Sequence, residues 1–226
     1  MASAKTPEPR GAAAEPAGSE YLTVAAPAKA QLREKMSRFI AFVFPVSSAE
    51  QAREEIARVA ADYHDARHVC WAYRLGADGT DTQCNDNGEP SGTAGRPILG
   101  QIRSAGLTNV AVAVVRYFGG IKLGAGGLVR AYSGSASENL DTAEKVLYEV
   151  CSQSEYSVDY SSVDTVMRYC AENNASLLDT LYKDEVVFTV AVKKADEDKF
   201  NSGIINRLNG KIKIRKMKEY FFPFKI

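Results

Sequence analysis

The pattern of apolar and polar positions divides the chain into two successive stretches, each of which predicts a mixed unit of helices and strands. In the first stretch, the apolar run 39–46 is typical of a buried strand. Ser48 followed three residues later by Gln51 marks a helix start, and apolar residues at helical spacing then predict an amphipathic helix over 48–64. A strand near 70–75 and a turn at 76–79 follow.

The next strand, predicted over 109–117, is apolar at almost every position, which indicates that both of its faces are covered. Apolar residues recur at helical spacing from Leu128 to Leu147 and predict a long helix. The first stretch is therefore an α+β or α/β unit.

The second stretch predicts a different order of elements. A strand at 156–160 precedes a helix at 163–170, two strands at 177–182 and 186–192, a helix at 200–208 and a strand at 212–215. This β-α-β-β-α-β order is that of the ferredoxin-like fold. We expect the boundary near 149–155 and assign 21–149 to the first domain and 150–226 to the second.

Residues 1–20 are rich in Ala, Pro and Gly and are expected to form a disordered tail, because they cannot bury enough apolar surface to offset the loss of chain entropy. They contain acidic residues and no apolar core of a signal peptide, and the chain has no apolar run long enough for a membrane helix. The expected location is the cytoplasm, with no membrane partner.

The four cysteines are widely spaced and the chain has two histidines, so neither a zinc site nor a disulfide framework is expected, and no metal or cofactor is predicted. The 28 basic and 28 acidic residues cancel, which argues against a protein that coats nucleic acid through bulk charge. Between Pro90 and Tyr132, however, there are five basic residues, no acidic ones and nine of the 17 glycines. The neutral average hides a local positive region.

The glycine-rich segment 119–127 joins the predicted strand 109–117 to the long helix. Backbone amides at the helix start, with Lys122 and Arg130 nearby, favour a phosphate or carboxylate, and Gly124, Gly126 and Gly127 would bring the backbone close to it. The alternative is that these glycines only permit a tight turn, since the spacing matches neither the P-loop nor the Rossmann motif.

A second glycine-rich loop, 86–95, is too polar for the core. Ser91 and Thr93 offer hydroxyl groups and amides next to Arg96, and Glu89 offers a carboxylate. Glu89 is a weak candidate for a general base, since a lone loop carboxylate is more often solvated or capping.

Three further residues stand near these loops. His68 is interpreted as a helix-end residue satisfied by a backbone carbonyl, because no nucleophile motif accompanies it. Tyr117 and Phe118 adjoin the glycine turn and are better placed to touch a ligand than Trp71 or Tyr73. The candidate anion or nucleic-acid site itself consists of basic, hydroxyl and glycine residues of the two loops: Arg96, Arg116, Lys122, Arg130, Ser91, Thr93, Gly124, Gly126 and Gly127.

Four motifs in order closely resemble the IMPACT family in its bacterial, YigZ-type form without an RWD domain: 37–39 (SRF), 65–68 (DARH), 87–97 (NGEPSGTAGRP) and 114–132 (VVRYFGGIKLGAGGLVRAY). The resemblance implies an α+β protein with an N-terminal domain like domain 2 of ribosomal protein S5. It implies a ferredoxin-like C-terminal domain similar to the last domain of elongation factor G, which agrees with the pattern of the second stretch.

Both implied relatives occur in translation proteins, so the first hypothesis is a nucleic-acid- or ribosome-associated binding module linked to translation regulation. RNA would contact the basic residues of the two glycine loops, with a further basic strip at 211–218. The second hypothesis is an enzyme or sensor for a small phosphorylated or carboxylated metabolite. A third is that the ferredoxin-like domain binds a protein partner and the glycine loops are structural.

Overall fold

The computed structural model describes residues 18–224 and divides into two compact units. The first comprises Tyr21–Tyr148 and the second Glu149–Pro223, with residues 18–20 grouped with the second. Most of the predicted tail, 1–17, lies outside the described residues, while Glu20 begins strand β1. The predicted α+β class is confirmed.

The first unit is built on an antiparallel sheet in the order β2-β3-β6-β4-β5. Its strands are β2 (Ala28–Glu34), β3 (Ser37–Pro45), β4 (His68–Leu75), β5 (Asp81–Asn85) and β6 (Val110–Tyr117). Strand β1 (Glu20–Val24) lies beside the start of β7 (Lys145–Val158), where the rings of Tyr21 and Tyr148 stack 5.0 Å apart.

Helices cover both faces of this sheet. Helix α1 (Ala49–Asp62) packs on one face, and α2 (Gly95–Ser104) and α3 (Gly124–Thr142) pack on the other. Alternate residues of β6 enter the two cores, with Val112 and Val114 on the α2/α3 side and Val115 on the α1 side, which confirms the expectation that this strand is covered on both faces. The sheet end nearest Tyr117 is left to the loops, and the candidate residues gather there.

The second unit contains β7, α4 (Val163–Glu172), β8 (Ser176–Tyr182), β9 (Val186–Lys193), α5 (Glu197–Arg207) and β10 (Lys213–Phe224). The predicted β-α-β-β-α-β order is confirmed, and the strands lie in the order β10-β7-β9-β8. Alternate β9 residues, Phe188 and Val190 among them, share one core with Phe200 and Ile204 of α5. This is how a ferredoxin-like sheet buries one face under two helices.

The predicted helix at 48–64 is confirmed as α1, whose first turn is capped by Ser48 Oγ accepting a hydrogen bond from Gln51 N at 3.2 Å. The long helix predicted to reach Leu147 instead ends at Thr142, and Leu147 lies in β7. The apolar residues after Thr142 continue the helical spacing by coincidence, and strand pairing in β7 decides their conformation.

Pattern reading also missed β1, β2, β5 and α2. Helix α2 begins directly after a loop of turn-forming residues and contains Pro97 and Gly100, two residue types with low helix propensity, so its sequence does not predict a helix. Pro97 is tolerated because it stands in the first turn, where the backbone N–H has no partner within the helix.

Candidate functional site

A row of three side chains lies on the α2/α3 face of the first unit, where β6 ends and its neighbours β3 and β4 begin. Arg116 of β6 pairs across the sheet with Phe39 of β3 and with His68 of β4. Cross-strand partners share a face, so these three side chains point toward α3 and the loop 86–95. The residues predicted from separate motifs therefore meet at this sheet end.

A buried polar network occupies the centre of the row. Arg116 Nη1 donates to Glu89 Oε1 at 2.7 Å, and the same oxygen accepts from the Tyr132 hydroxyl at 2.8 Å. Cys70 Sγ lies 3.3 Å from the Tyr132 hydroxyl oxygen. Arg116 is 6% exposed and Glu89 9%, while Tyr132 and Cys70 are fully buried.

Burial decides the protonation of this network's neutral members. Desolvation, joined by the nearby Glu89 carboxylate, raises the pKa of the Cys70 thiol to about 12, and burial also raises the pKa of Tyr132. Cys70 is therefore a neutral packing group rather than a nucleophile. Glu89 accepts from a cation and from a hydroxyl, so its carboxylate ties the loop 86–95 to β6 and α3.

The loop 86–95 encloses an anion that belongs to the chain itself. The Asp86 carboxylate accepts hydrogen bonds from the backbone amides of Gly92 at 2.8 Å, Ala94 at 3.0 Å and Gly95 at 2.8 Å. Desolvation opposes ionisation of this carboxyl, but the three amides and then Arg96 outweigh it and hold the pKa of Asp86 below its ordinary value. The start of helix α2 is thus already occupied by Asp86.

The other predicted members of this loop are divided between its surface and its interior. Ser91 and Arg96 are exposed, whereas Thr93 is 5% exposed and its hydroxyl donates to the Pro90 carbonyl at 2.6 Å. Arg96 stands beside Gly92 and adds its charge to the field at Asp86. Of the exposed side chains here, only Arg96 carries a positive charge that faces solvent.

His68 holds the same loop from the sheet side. Its Nδ1 lies 2.9 Å from the Asn87 carbonyl oxygen, which can only accept, so Nδ1 carries the proton in this contact. Asn87 Nδ2 in turn donates to the Val69 carbonyl at 3.1 Å. His68 is thus satisfied by a backbone carbonyl, as expected, although it begins strand β4 rather than ending a helix.

The second glycine-rich segment leaves a helix start open. Helix α3 begins at Gly124, which has φ +72° and follows Leu123 with no side-chain cap on the first turn. Gly124 and Gly126 are exposed, Gly127 is buried, and the Arg130 guanidinium reaches back to within 3.7 Å of the site where a β-carbon would stand on Gly126. Lys122 is exposed one residue before the cap.

Free amides, the helix dipole and two cations therefore coincide at the start of α3. Its first turn contains no acidic residue. This combination favours an anion in the way that the start of α2 favours Asp86, but no carboxylate of the described residues is hydrogen-bonded there.

Tyr117 and Phe118 point to different surroundings. The Tyr117 hydroxyl donates to Asp65 Oδ1 at 2.6 Å, and the Arg38 guanidinium lies 4.4 Å from the ring centroid, so Tyr117 belongs to the α1 side of the sheet. The Phe118 side chain is 48% exposed and lies next to the Arg116 guanidinium, at 5.6 Å from Cζ to the ring centroid. Phe118 is thus the aromatic residue of this pair that faces both solvent and the row.

Sequence reasoning missed Asp86, Tyr132 and Cys70 as members of the site. Asp86 carried a usable signal, because an aspartate before a run of small turn residues often accepts their amides. Tyr132 was assigned only to a helix face, and nothing in the sequence places it against Glu89, 43 residues away.

The basic strip predicted at 211–218 is largely neutralised within the second unit. Lys213 pairs with Glu185, Arg215 with Glu155 and Lys216 with Glu219. Because each of these cations has an acidic partner, the strip offers a polyanion less charge than its sequence suggests.

The chain is a two-domain α+β protein with an S5-domain-2-like unit followed by a ferredoxin-like unit. The first unit carries the buried polar network that holds the loop 86–95 and the uncapped start of helix α3. Family models of the Impact N-terminal domain and of a domain of unknown function (DUF1949) match residues 35–140 and 157–211. The chain belongs to the IMPACT family.

The similarity to known proteins extends over most of the chain. The IMPACT family member YvyE of Bacillus subtilis is 34% identical, covering 86% of this chain and 90% of its own. The family member YigZ of Escherichia coli is 33% identical, covering 88% and 98%. A crystal structure described as that of a hypothetical protein matches with a TM-score of 0.60 and 29% identity, covering 89% of this chain and 99% of the other.

Two negative findings apply to residues 18–224. Among these residues, no three His, Cys, Asp or Glu side chains are grouped as metal ligands would be. No helix in the same range has both the length and the apolar character needed to cross a bilayer.

Proposed function

We propose that this protein is an RNA-binding module that acts in association with the ribosome and regulates translation. The observation that carries the proposal is the uncapped start of helix α3, where exposed Lys122 and Arg130 flank free backbone amides. Phosphate oxygens are the RNA groups that such a site binds best.

The charges of the first unit support a focused site. Arg116 is committed to Glu89, so the cations left facing solvent at the two loops and near the starts of the helices that follow them are Arg96, Lys122 and Arg130. No acidic residue occurs between Pro90 and Tyr132 to oppose them. Within the second unit, the segment 149–200 carries eleven acidic and five basic residues, which disfavours a polyanion along that segment.

A small phosphorylated or carboxylated metabolite is the second candidate ligand. The observation in its favour is Arg116 Nε, which is buried and has no hydrogen-bond partner among the described residues. An enzymatic role for Glu89 has less support, since its carboxylate is ion-paired and accepts from Tyr132 rather than standing free as a base.

Fluorescence anisotropy with labelled RNA, repeated over a series of salt concentrations, tests the proposal. Arg130→Ala and Lys122→Ala are each expected to weaken binding and to reduce the slope of log K against log salt by about one. Arg53→Ala is the matched control, because Arg53 is exposed on α1, on the opposite face of the sheet, and should leave the slope unchanged.

Cosedimentation with ribosomal subunits extends the test to the proposed partner. Binding that is absent, or that does not respond to salt, would refute the RNA proposal. A saturable rise in melting temperature with a small organic phosphate or carboxylate, lost in Arg130→Ala, would instead support the metabolite.

A further inference from the structure

Phe118 exposes nearly half of its side chain at the end of β6, in the turn that leads to helix α3. Met36, whose backbone lies against the neighbouring Gly119, is 78% exposed, and Ile121, three residues further along the turn, is 51% exposed. Large apolar side chains grouped on a surface mark a binding site more often than isolated ones do. This apolar group adjoins the cations of the proposed RNA site.

The backbone on both sides of Phe118 is held in place. Before it, Tyr117 is hydrogen-bonded to Asp65. After it, Gly119 N donates to Ser37 Oγ at 3.3 Å. A β-carbon on Gly119 would stand 2.1 Å from the backbone carbonyl of Met36, so this residue packs directly against the β2–β3 turn. The ring is therefore presented from a fixed backbone position, which lowers the entropy lost on binding.

The surroundings of the ring are cationic. The Arg116 guanidinium, which is paired with Glu89, lies over the Phe118 ring, and exposed Lys122 and Arg130 follow Phe118 in a stretch that has no acidic residue. A partner that covers this surface must combine negative charge with a flat apolar face. A nucleotide with an accessible base has both, since its phosphate suits Lys122 and Arg130 and its base suits Phe118.

We propose that Phe118 is a stacking platform for an unpaired base, so that the preferred ligand is single-stranded RNA. This inference rests on the proposed function. In a duplex the bases are stacked on one another and their faces are inaccessible, whereas single strands can place a base on an exposed aromatic ring.

The test compares an unstructured labelled RNA 12-mer with a hairpin duplex in the full-length protein. Phe118→Leu is expected to weaken binding of the single strand by about 5- to 100-fold, as is typical for loss of one stacked base. Phe118→Trp should retain the affinity, because indole also stacks. Neither change alters the salt dependence, since Phe118 carries no charge. Tyr182→Leu is the control, an aromatic residue 63% exposed in the second unit.

A direct reading of stacking comes from fluorescence. In a Trp71→Phe background, which removes the chain's one native tryptophan, the fluorescence of the Phe118→Trp variant should be quenched by the single strand and not by the duplex. Circular dichroism melting curves verify that each variant is folded.

The outcomes separate the two proposals. Salt-dependent RNA binding that is unaffected by Phe118→Leu, or that is equal for single strand and duplex, would overturn the stacking platform and leave the RNA module intact. Absence of any RNA binding would overturn both.

Discussion

Asp86 provides the strongest test of how the loop 86–95 is built. Its carboxylate accepts from three backbone amides, two of which belong to the buried residues Ala94 and Gly95 at the start of α2. In Asp86→Ala these amides lose their acceptor, and water cannot reach the buried ones. Loss of a helix cap costs about 1 kcal/mol and an unsatisfied buried donor about 1–3 kcal/mol, so we expect a loss of roughly 2–4 kcal/mol.

Thermal and urea unfolding followed by far-ultraviolet circular dichroism measure this loss. For a chain of this size, each kcal/mol lowers Tm by about 3 °C, which predicts a decrease of about 6–12 °C. Asp81→Asn is the control, since Asp81 is exposed at the start of β5, and its Tm should be nearly unchanged.

The pH dependence gives an independent check through Asp86→Asn. The pKa of Asp86 is lowered in the folded state, so its charge stabilises the protein above the unfolded pKa of about 4 and this part is lost as the pH falls through the folded pKa. The free-energy difference between wild type and Asp86→Asn should therefore be constant above about pH 5 and shrink below pH 4. A variant as stable as wild type, with the same pH profile, would refute the arrangement.

Two substitution experiments and one thiol-reactivity assay test the polar network, the glycine turn and the buried cysteines. Glu89→Ala should destabilise the protein by about 3–5 kcal/mol in urea unfolding, because it leaves the buried Arg116 without its acidic partner. The control is Arg207→Ala, which removes an exposed ion pair and should cost about 1 kcal/mol or less. Similar losses in the two variants would contradict the buried pair. Gly119→Ala should lower Tm, because its β-carbon would clash with the backbone of Met36. Gly100→Ala, whose β-carbon would meet open space inside α2, should raise stability by up to about 1 kcal/mol. If Gly119→Ala were the more stable variant, the close approach of Gly119 to Met36 would be excluded. Burial raises the pKa of Cys70 to about 12 and those of Cys151 and Cys170 to about 11. In the folded protein at pH 8, Ellman's reagent should therefore react rapidly with half-buried Cys84 alone, and with the other three thiols after unfolding. A second rapidly reacting thiol in the folded protein would contradict this prediction.

The elements that sequence reasoning identified share a strong local signal. Helix α1 carries a cap and an apolar stripe, and β6 is apolar throughout. Strand β2 was missed because its residues alternate between half-buried and exposed, and β5 because polar residues dominate it. Both lie at the sheet edges, where burial is incomplete and the hydrophobic pattern is correspondingly weak.

The two glycine loops show where local signals stop. Both read as anion sites because glycine amides and basic residues are visible in the sequence. Asp86 fills the amides of one loop, while the start of α3 is left uncapped, and a choice of this kind depends on which side chain folds back onto which backbone. Arg116 likewise reads as a free cation until the fold places Glu89 2.7 Å away.

By itself, the sequence determined the two-unit organisation of predicted elements, the ferredoxin-like order of the second unit and the family resemblance, because these depend on periodicity and on motifs of short range. The tertiary structure decided which charges of a neutral chain face solvent. Ion pairing and capping join residues that lie far apart in the sequence, and their contacts exist only after the strands are in register. The local excess of basic residues is therefore a property of the sequence, but the pairing of Arg116 with Glu89, which leaves Arg96, Lys122 and Arg130 as the exposed cations beside the two loops, is a property of the fold.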